Sequence, residues 1–228
     1  MSEAVSEPEV PAVPGDLTAP TVPRLRGRIH QAAAVVSVFG LVWLAVIANG
    51  PREIAAAWVY GLATVLLYSV SSSYHVFARG PRVRPVMRRL DHSMIFVLIA
   101  GTYTPICLLA LGGAWGWGLL IAVWTGALIG ITLKVAGLER FRKFSAPLYI
   151  ILGWLAVVAA PKLFDRPDLL MLAVVGGLLY TVGAILFALQ RPGRVATWFG
   201  YHEWWHSFTF VAGVCFFAMN SWLILSAS

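Results

Sequence analysis

Charged side chains are scarce in this chain: they make up 12% of its 228 residues, whereas 59% of the residues are hydrophobic. A soluble domain needs more polar surface, so the composition favours a polytopic helical membrane protein. Cysteine is also nearly absent. The two that occur, Cys107 and Cys215, lie in apolar stretches. They exclude a disulfide framework of the secreted kind and form no metal-binding pair by their spacing.

Acidic residues are fewer than basic ones, ten against seventeen, which gives a net charge of +7. The arginines cluster in short segments beside apolar runs, a distribution typical of membrane topology signals and of contact with anionic lipid headgroups. No motif combining aromatic and basic residues for RNA or DNA is visible. We therefore exclude nucleic acid and expect membrane lipids as partners.

Basic residues are missing from residues 1–23, which are rich in proline and carry four acids. This composition predicts a disordered, acidic tail. The segment has neither a basic start nor an apolar core, so it does not read as a signal peptide. We expect residues 24–228 to form a single membrane domain.

Apolar runs of roughly 20 residues predict seven membrane-spanning helices, an all-α bundle. Fourteen of the seventeen basic residues fall on the side that holds the N-terminus, which predicts a cytoplasmic N-terminus and an external C-terminus. A bacterial inner or plasma membrane suits this pattern. Gly112 and Gly113 predict a tight turn, and Gly126 with Gly130 predicts close helix packing. The spans are Ile29–Gly50, Ile54–Phe77, Asp91–Leu111, Trp115–Val135, Ala146–Phe164, Leu169–Gln190 and Tyr201–Leu225.

Three of these spans place ionisable residues at the same predicted membrane depth. His75 ends the second span, Asp91 begins the third, and His202 and His206 begin the seventh. Histidines four residues apart share a helix face, and three imidazoles with one open position are typical of catalytic zinc. Ionisable groups inside a membrane are costly and mark functional sites. The sequence therefore predicts a Zn²⁺ site ligated by His75, His202 and His206.

Two further side chains belong to this hypothesis as candidate catalytic residues. Asp91 would accept a hydrogen bond from a water at the open position or orient a ligand. Ser71, one turn before His75, could reach the same water or a substrate carbonyl, although a bond to its own helix carbonyls is nearly as good an explanation. We expect His30 and His92 to face the headgroups. Glu203 is about 100° around the helix from His202 and can point away.

The motifs at these positions resemble those of the hemolysin III family, the bacterial branch of the progestin and adipoQ (adiponectin) receptor superfamily. The likeness covers residues 24–225, and rests on three motifs in the same order along the chain: Ser71-x-x-x-His75, Leu90-Asp91-His92-Ser93 followed by Gly101-Thr102-Tyr103-Thr104-Pro105, and His202-x-x-x-His206. It implies seven helices, a zinc ion held by the three histidines, and an aspartate acting through water. It also implies kinship with proposed hydrolases of lipid amides such as ceramides. One departure is visible: of the motif that leads into the first helix in many relatives, Arg24–Gln31 keeps only His30.

Three functions remain open on the sequence. The first is a zinc-dependent hydrolase of a lipid amide or ester, and the second is a non-enzymatic membrane sensor or receptor-like protein with a structural zinc. The third is an intramembrane metalloprotease, suggested by His202-Glu203-x-x-His206, but no acid or histidine follows His206 to complete such a site. A pore is excluded because the spans are not amphipathic. The oligomeric state stays undetermined.

Overall fold

The structure is a computed structural model that describes residues 23–136, 145–193 and 197–227; the predicted tail, residues 1–22, lies outside them. The described residues are helical throughout their regular elements, with no strand among them. Six helices are long and apolar enough to cross a membrane. The α-helices are α1 (Arg28–Ile47), α2 (Pro51–Val76), α3 (Val83–Pro105), α4 (Gly113–Val135), α5 (Ser145–Trp154), α6 (Ala160–Leu163), α7 (Pro167–Leu189) and α8 (Tyr201–Ala227).

Proline and glycine set several of the helix boundaries. Pro51 and Pro167 begin α2 and α7, where a missing N–H costs no helical hydrogen bond. Gly112 and Gly113 both have positive φ, +57° and +53°, and connect α3 to α4 as a tight turn, which confirms the sequence prediction. Between Pro105 and this turn, Ile106–Leu111 form a π-helical segment that extends α3.

The predicted fifth span, Ala146–Phe164, is broken into three helical pieces. A 3₁₀ segment, Leu155–Ala159, separates α5 from the single turn of α6. Pro161 explains the break, because it has no N–H to donate and its ring collides with the carbonyl four residues earlier, that of Val157. The apolar helix here is shorter than the other six and covers Pro147–Val158.

Close packing between helices requires glycine where it was predicted. A Cβ on Gly126 would lie 2.6 Å from Leu152 of α5, and one on Gly130 would lie 2.3 Å from Phe96 of α3. Both distances are shorter than real contacts, so a side chain at either position would have to displace Leu152 or Phe96 from the helix contact. The packing role assigned to this glycine pair is confirmed.

The helices bury small and polar groups inside and turn large apolar side chains outward. Phe39, Val46 and Trp115 are each 71% exposed, whereas His206, Glu203 and Asn220 are buried. Water would penalise such an outer surface, but the hydrocarbon of a bilayer would not. The chain is an integral, multi-pass membrane protein. Since α2 packs on α1 and α3, and α8 packs on α1 and α7, the C-terminal end of α2 and the N-terminal ends of α3 and α8 meet in one place.

Candidate metal centre

Three histidines converge where the last turn of α2 meets the first two turns of α8. The Nε2 atoms of His75 and His202 are 3.2 Å apart. The ring centroid of His206 lies 4.9 Å from that of His75 and 4.7 Å from that of His202. One ligand atom from each of the three residues falls within a common span of 4.8 Å. His206 is 2% exposed, so the cluster is closed from one side.

The donor set fits a zinc ion. Zinc–nitrogen bonds of about 2.0–2.1 Å at tetrahedral angles place two donor nitrogens about 3.3 Å apart, close to the separation of the two Nε2 atoms. Three imidazoles leave a fourth position for another group. Among the described residues, these three are the one group of three or more histidine, cysteine or acidic side chains close enough to hold a metal. They could therefore hold a metal ion.

Asp91 lies beside the cluster but is not one of its close members. Its Oδ2 atom is 4.0 Å from His75 Nε2 and 3.7 Å from His92 Nδ1. The first distance is too long for a direct hydrogen bond, and a water hydrogen-bonded to both atoms would have to lie to one side of the line that joins them. The Asp91 side chain is 14% exposed, so water reaches it only from one side.

Ser71 is directed toward the site and not toward its own helix carbonyls. A hydrogen bond of 2.9 Å joins its hydroxyl to Nδ1 of His30, and the hydroxyl also interacts with the Asp91 carboxylate. Its neighbour Ser72 shows the other behaviour, donating to the Ser69 carbonyl. Ser71 thus connects Asp91 to a fourth histidine.

The expectation that His30 faces the headgroups was wrong. His30 is 3% exposed, and its ring stacks on that of His206 with centroids 3.8 Å apart. Its two ring nitrogens are hydrogen-bonded to Ser71 and, at 3.0 Å, to Thr209. Burial follows from its register, since His30, Ala33, Ser37 and Leu44 repeat at helical spacing on the buried face of α1. That spacing was the signal available in the sequence.

His92 behaves as predicted for a residue at the membrane edge. Its side chain is 38% exposed, and its Nδ1 atom is hydrogen-bonded to the Arg88 carbonyl one turn earlier on α3. It contacts Asp91 and is not one of the three clustered histidines. It therefore provides a natural control histidine close to the site.

Glu203 is a structural residue that closes the start of α8. Its carboxylate accepts a hydrogen bond from the Gly200 N–H at 2.8 Å, three residues earlier, as the glutamate of a capping box does. Its other oxygen pairs with the Arg26 guanidinium. Both carboxylate oxygens are occupied away from the histidines, so the base role of the literal H-E-x-x-H motif has no support in this arrangement.

Replacing Glu203 tests this structural role. We expect Glu203→Gln to lower the free energy of unfolding by about 1–3 kcal/mol, because the partly buried Arg26 guanidinium loses its charged partner. Metal content should stay at the wild-type level. Thermal unfolding in detergent, followed by elemental analysis of the same sample, measures both. Loss of metal with unchanged stability would instead assign Glu203 to the metal centre.

Comparison with known proteins agrees with the motifs. The profile of the family described as "Haemolysin-III related" matches residues 19–217. Hemolysin-3 of Bacillus cereus is 39% identical over 74% of this chain and 80% of its own length. The Bacillus subtilis hemolysin-3 homolog is 33% identical over 78% and 83%. The human monocyte to macrophage differentiation factor is a more distant relative, 24% identical over 86% of this chain and 82% of its own. With its three histidines drawn from α2 and α8, the chain belongs to the haemolysin III-related family, within the progestin and adipoQ receptor superfamily.

Proposed function

We propose that the protein is a zinc-dependent hydrolase that cleaves an amide or ester bond of a membrane lipid. The observation that carries the proposal is the distance of 4.0 Å between the Asp91 carboxylate and His75 Nε2, beside two more histidines. At this distance the carboxylate is not itself a ligand, yet it lies close enough to accept a hydrogen bond from a water held at the fourth position of the donor set. A structural site would be expected to close its fourth position with a protein ligand.

His75, His202 and His206 would hold the zinc, which supplies a Lewis acid that polarises a carbonyl and acidifies water. Asp91 accepts a proton as the water oxygen bonds to the carbonyl carbon. The same proton then passes to the amine or alkoxide that leaves when the carbon–nitrogen or carbon–oxygen bond breaks. Ser71, hydrogen-bonded to His30, interacts with the Asp91 carboxylate and would help to orient it.

The position of the cluster suits a lipid substrate. His75 lies in the last turn of α2 and His202 in the first turn of α8, so the site is near the ends of membrane-length helices. The bonds that join acyl chains to lipid headgroups lie at the same depth. A water-soluble substrate would not be expected at this depth.

We further propose seven crossings, with the N-terminus in the cytoplasm, the C-terminus outside and the protein in a bacterial plasma membrane. In this topology the stretch 145–163 supplies the fifth crossing along the chain, in addition to the six long helices, and residues 24–228 form one domain after an acidic tail. The support is the imbalance of basic residues, fourteen against three. The proposed topology would put the histidine cluster in the cytoplasmic half of the membrane.

A lipid hydrolysis assay tests the enzymatic proposal. Wild-type protein in nanodiscs is expected to release fatty acid from at least one lipid in a panel of ceramides and acyl esters. A strong zinc chelator should abolish the release, and added zinc should restore it, because the three histidines alone cannot polarise the carbonyl. Mass spectrometry of the lipid extract measures the product. Turnover that persists after chelation, or no product from the zinc-loaded protein, would overturn the proposal.

The alternative is a sensor in which the metal braces helices without chemistry. It draws support from the origin of the ligands, since one comes from α2 and two come from α8, more than 120 residues later. A metal there would tie the first half of the bundle to the last helix. The two functions differ in what they require of Asp91, which a brace does not need.

A further inference from the structure

A cavity rich in arginine adjoins the histidine cluster. Its volume is about 420 Å³, within the usual range of small-molecule sites, and His75 forms part of its wall. Five arginines line it, from the segment before α1, from the start of α1, from the turn after α2 and from the start of α3: Arg24, Arg26, Arg28, Arg79 and Arg84. We call this the arginine cavity.

Gly27 brings the first three arginines to this place. Its φ of +77° is a left-handed conformation, which favours glycine, and it turns the chain into α1. A Cβ at this position would lie 2.6 Å from the Cβ atom of His75, so the backbone rests directly on the last turn of α2. Gly80, with a φ of +81°, turns the chain after α2 and brings Arg79 and Arg84 to the other side.

The charge of the arginine cavity is largely uncompensated. Arg26 is paired with Glu203, but within the described part of the chain the other four arginines form no ion pair with a carboxylate. Three of these four arginines contact neutral groups. Arg28 donates to the Gln31 side-chain oxygen, while Arg24 lies over the Trp198 ring and Arg84 over the Tyr74 ring. These contacts orient guanidinium groups and leave their charge for an anion.

Guanidinium groups bind phosphate with paired, charge-assisted hydrogen bonds, and several around one concavity favour a phosphate over a single carboxylate. The cavity lies at the ends of α1, α2 and α3, the level of the lipid headgroups in the proposed topology. We propose that the arginine cavity binds the phosphate of an anionic lipid headgroup next to His75. The binding site itself does not depend on the proposed hydrolase; only its role in catalysis rests on that proposal. In that role, the substrates would be phosphate-bearing lipids, with the phosphate bound beside the bond to be cut.

The test compares two double variants with the same loss of charge. Arg79→Gln/Arg84→Gln removes two arginines of the cavity, whereas Arg82→Gln/Arg89→Gln removes two exposed arginines of the same region that do not line it. Native mass spectrometry of the full chain in detergent measures the affinity for phosphatidylglycerol, with diacylglycerol as the lipid that lacks phosphate. All preparations carry Asp91→Asn, so that binding is measured without turnover.

We expect phosphatidylglycerol to bind and diacylglycerol not to bind. The cavity variant should weaken phosphatidylglycerol binding by at least about tenfold, as expected for a lost charge-assisted hydrogen bond, and the control variant by less than about twofold. Equal losses in both variants, or no loss in either, would overturn the site. Inorganic phosphate should compete only at millimolar concentration or above. If it binds as tightly as phosphatidylglycerol, the lipid assignment is overturned and the cavity belongs to free phosphate. Failure of hydrolysis in the wild type would leave these binding results unchanged.

Discussion

The His202→Ala variant is expected to be purified without metal, and the wild type with about one zinc ion per chain. His202 and His75 have their Nε2 atoms 3.2 Å apart, so the deletion removes one of two donors that already stand at ligand separation. Two imidazoles remain, and affinity should fall by more than about 100-fold, beyond what the loss of an outer-shell partner costs. Elemental analysis of detergent-purified protein prepared without chelators measures the effect.

His92→Ala is the matched control for this experiment. His92 is next to Asp91 but is not one of the three clustered histidines, so its variant should keep wild-type zinc content. Zinc retained in His202→Ala would show that the three histidines do not form the site. Wild-type protein free of any transition metal would overturn the proposed metal site and, with it, the proposed hydrolase.

Asp91→Asn is expected to separate metal binding from catalysis. Asparagine has the shape of aspartate but cannot take a proton, so lipid hydrolysis should fall by about 10²- to 10⁴-fold, the usual contribution of a general acid–base residue. The zinc content in zinc-saturated buffer should stay near wild type, because Asp91 lies 4.0 Å from His75 Nε2 and is not a member of the histidine cluster. Initial rates of fatty acid release and elemental analysis on one preparation give both quantities.

Asp168→Asn is the corresponding control, since Asp168 is an exposed carboxylate at the start of α7 that pairs with Arg166. Its turnover should match the wild type. An Asp91→Asn variant with wild-type turnover would remove the carboxylate from the mechanism. Unaltered signalling or physiology in cells that carry Asp91→Asn, together with loss of function in His202→Ala, would favour the brace over the enzyme.

The three clustered histidines could be predicted from the sequence. Successive spans alternate in direction, so the end of the second span, the start of the third span and the start of the last span lie on the same side. The motif order predicted the family, which the comparisons confirmed. The direction of Glu203, away from the histidines, also followed from helical geometry. Its partner did not, because Arg26 lies 177 residues away in sequence and only the folded chain brings the two together.

The parts that sequence reasoning missed depend on tertiary packing. His30 reads as an interfacial residue when its arginine neighbours are counted, yet the packing of α1 against α8 buries it. The break at Pro161 interrupts a stretch that is apolar enough to read as a continuous span. The arginine cavity likewise needs two separate loops to face each other, so composition indicates contact with anionic lipids but not a concave site.

The first described residues are bound to the chain around the start of α8, and this bears on how the bundle assembles. Backbone hydrogen bonds run from Arg24 to Thr197 and from Leu25 to Trp198, and Arg26 forms an ion pair with Glu203. In the proposed zinc centre, one of the three histidines comes from α2 and the other two come from α8, so the metal could be held only once α8 lies beside α2. A chain truncated before α8 would keep one of the three histidines and would lack the partner of Arg26, so we expect it to retain no zinc. Metal retention would then report that the first and last helices of the bundle have assembled.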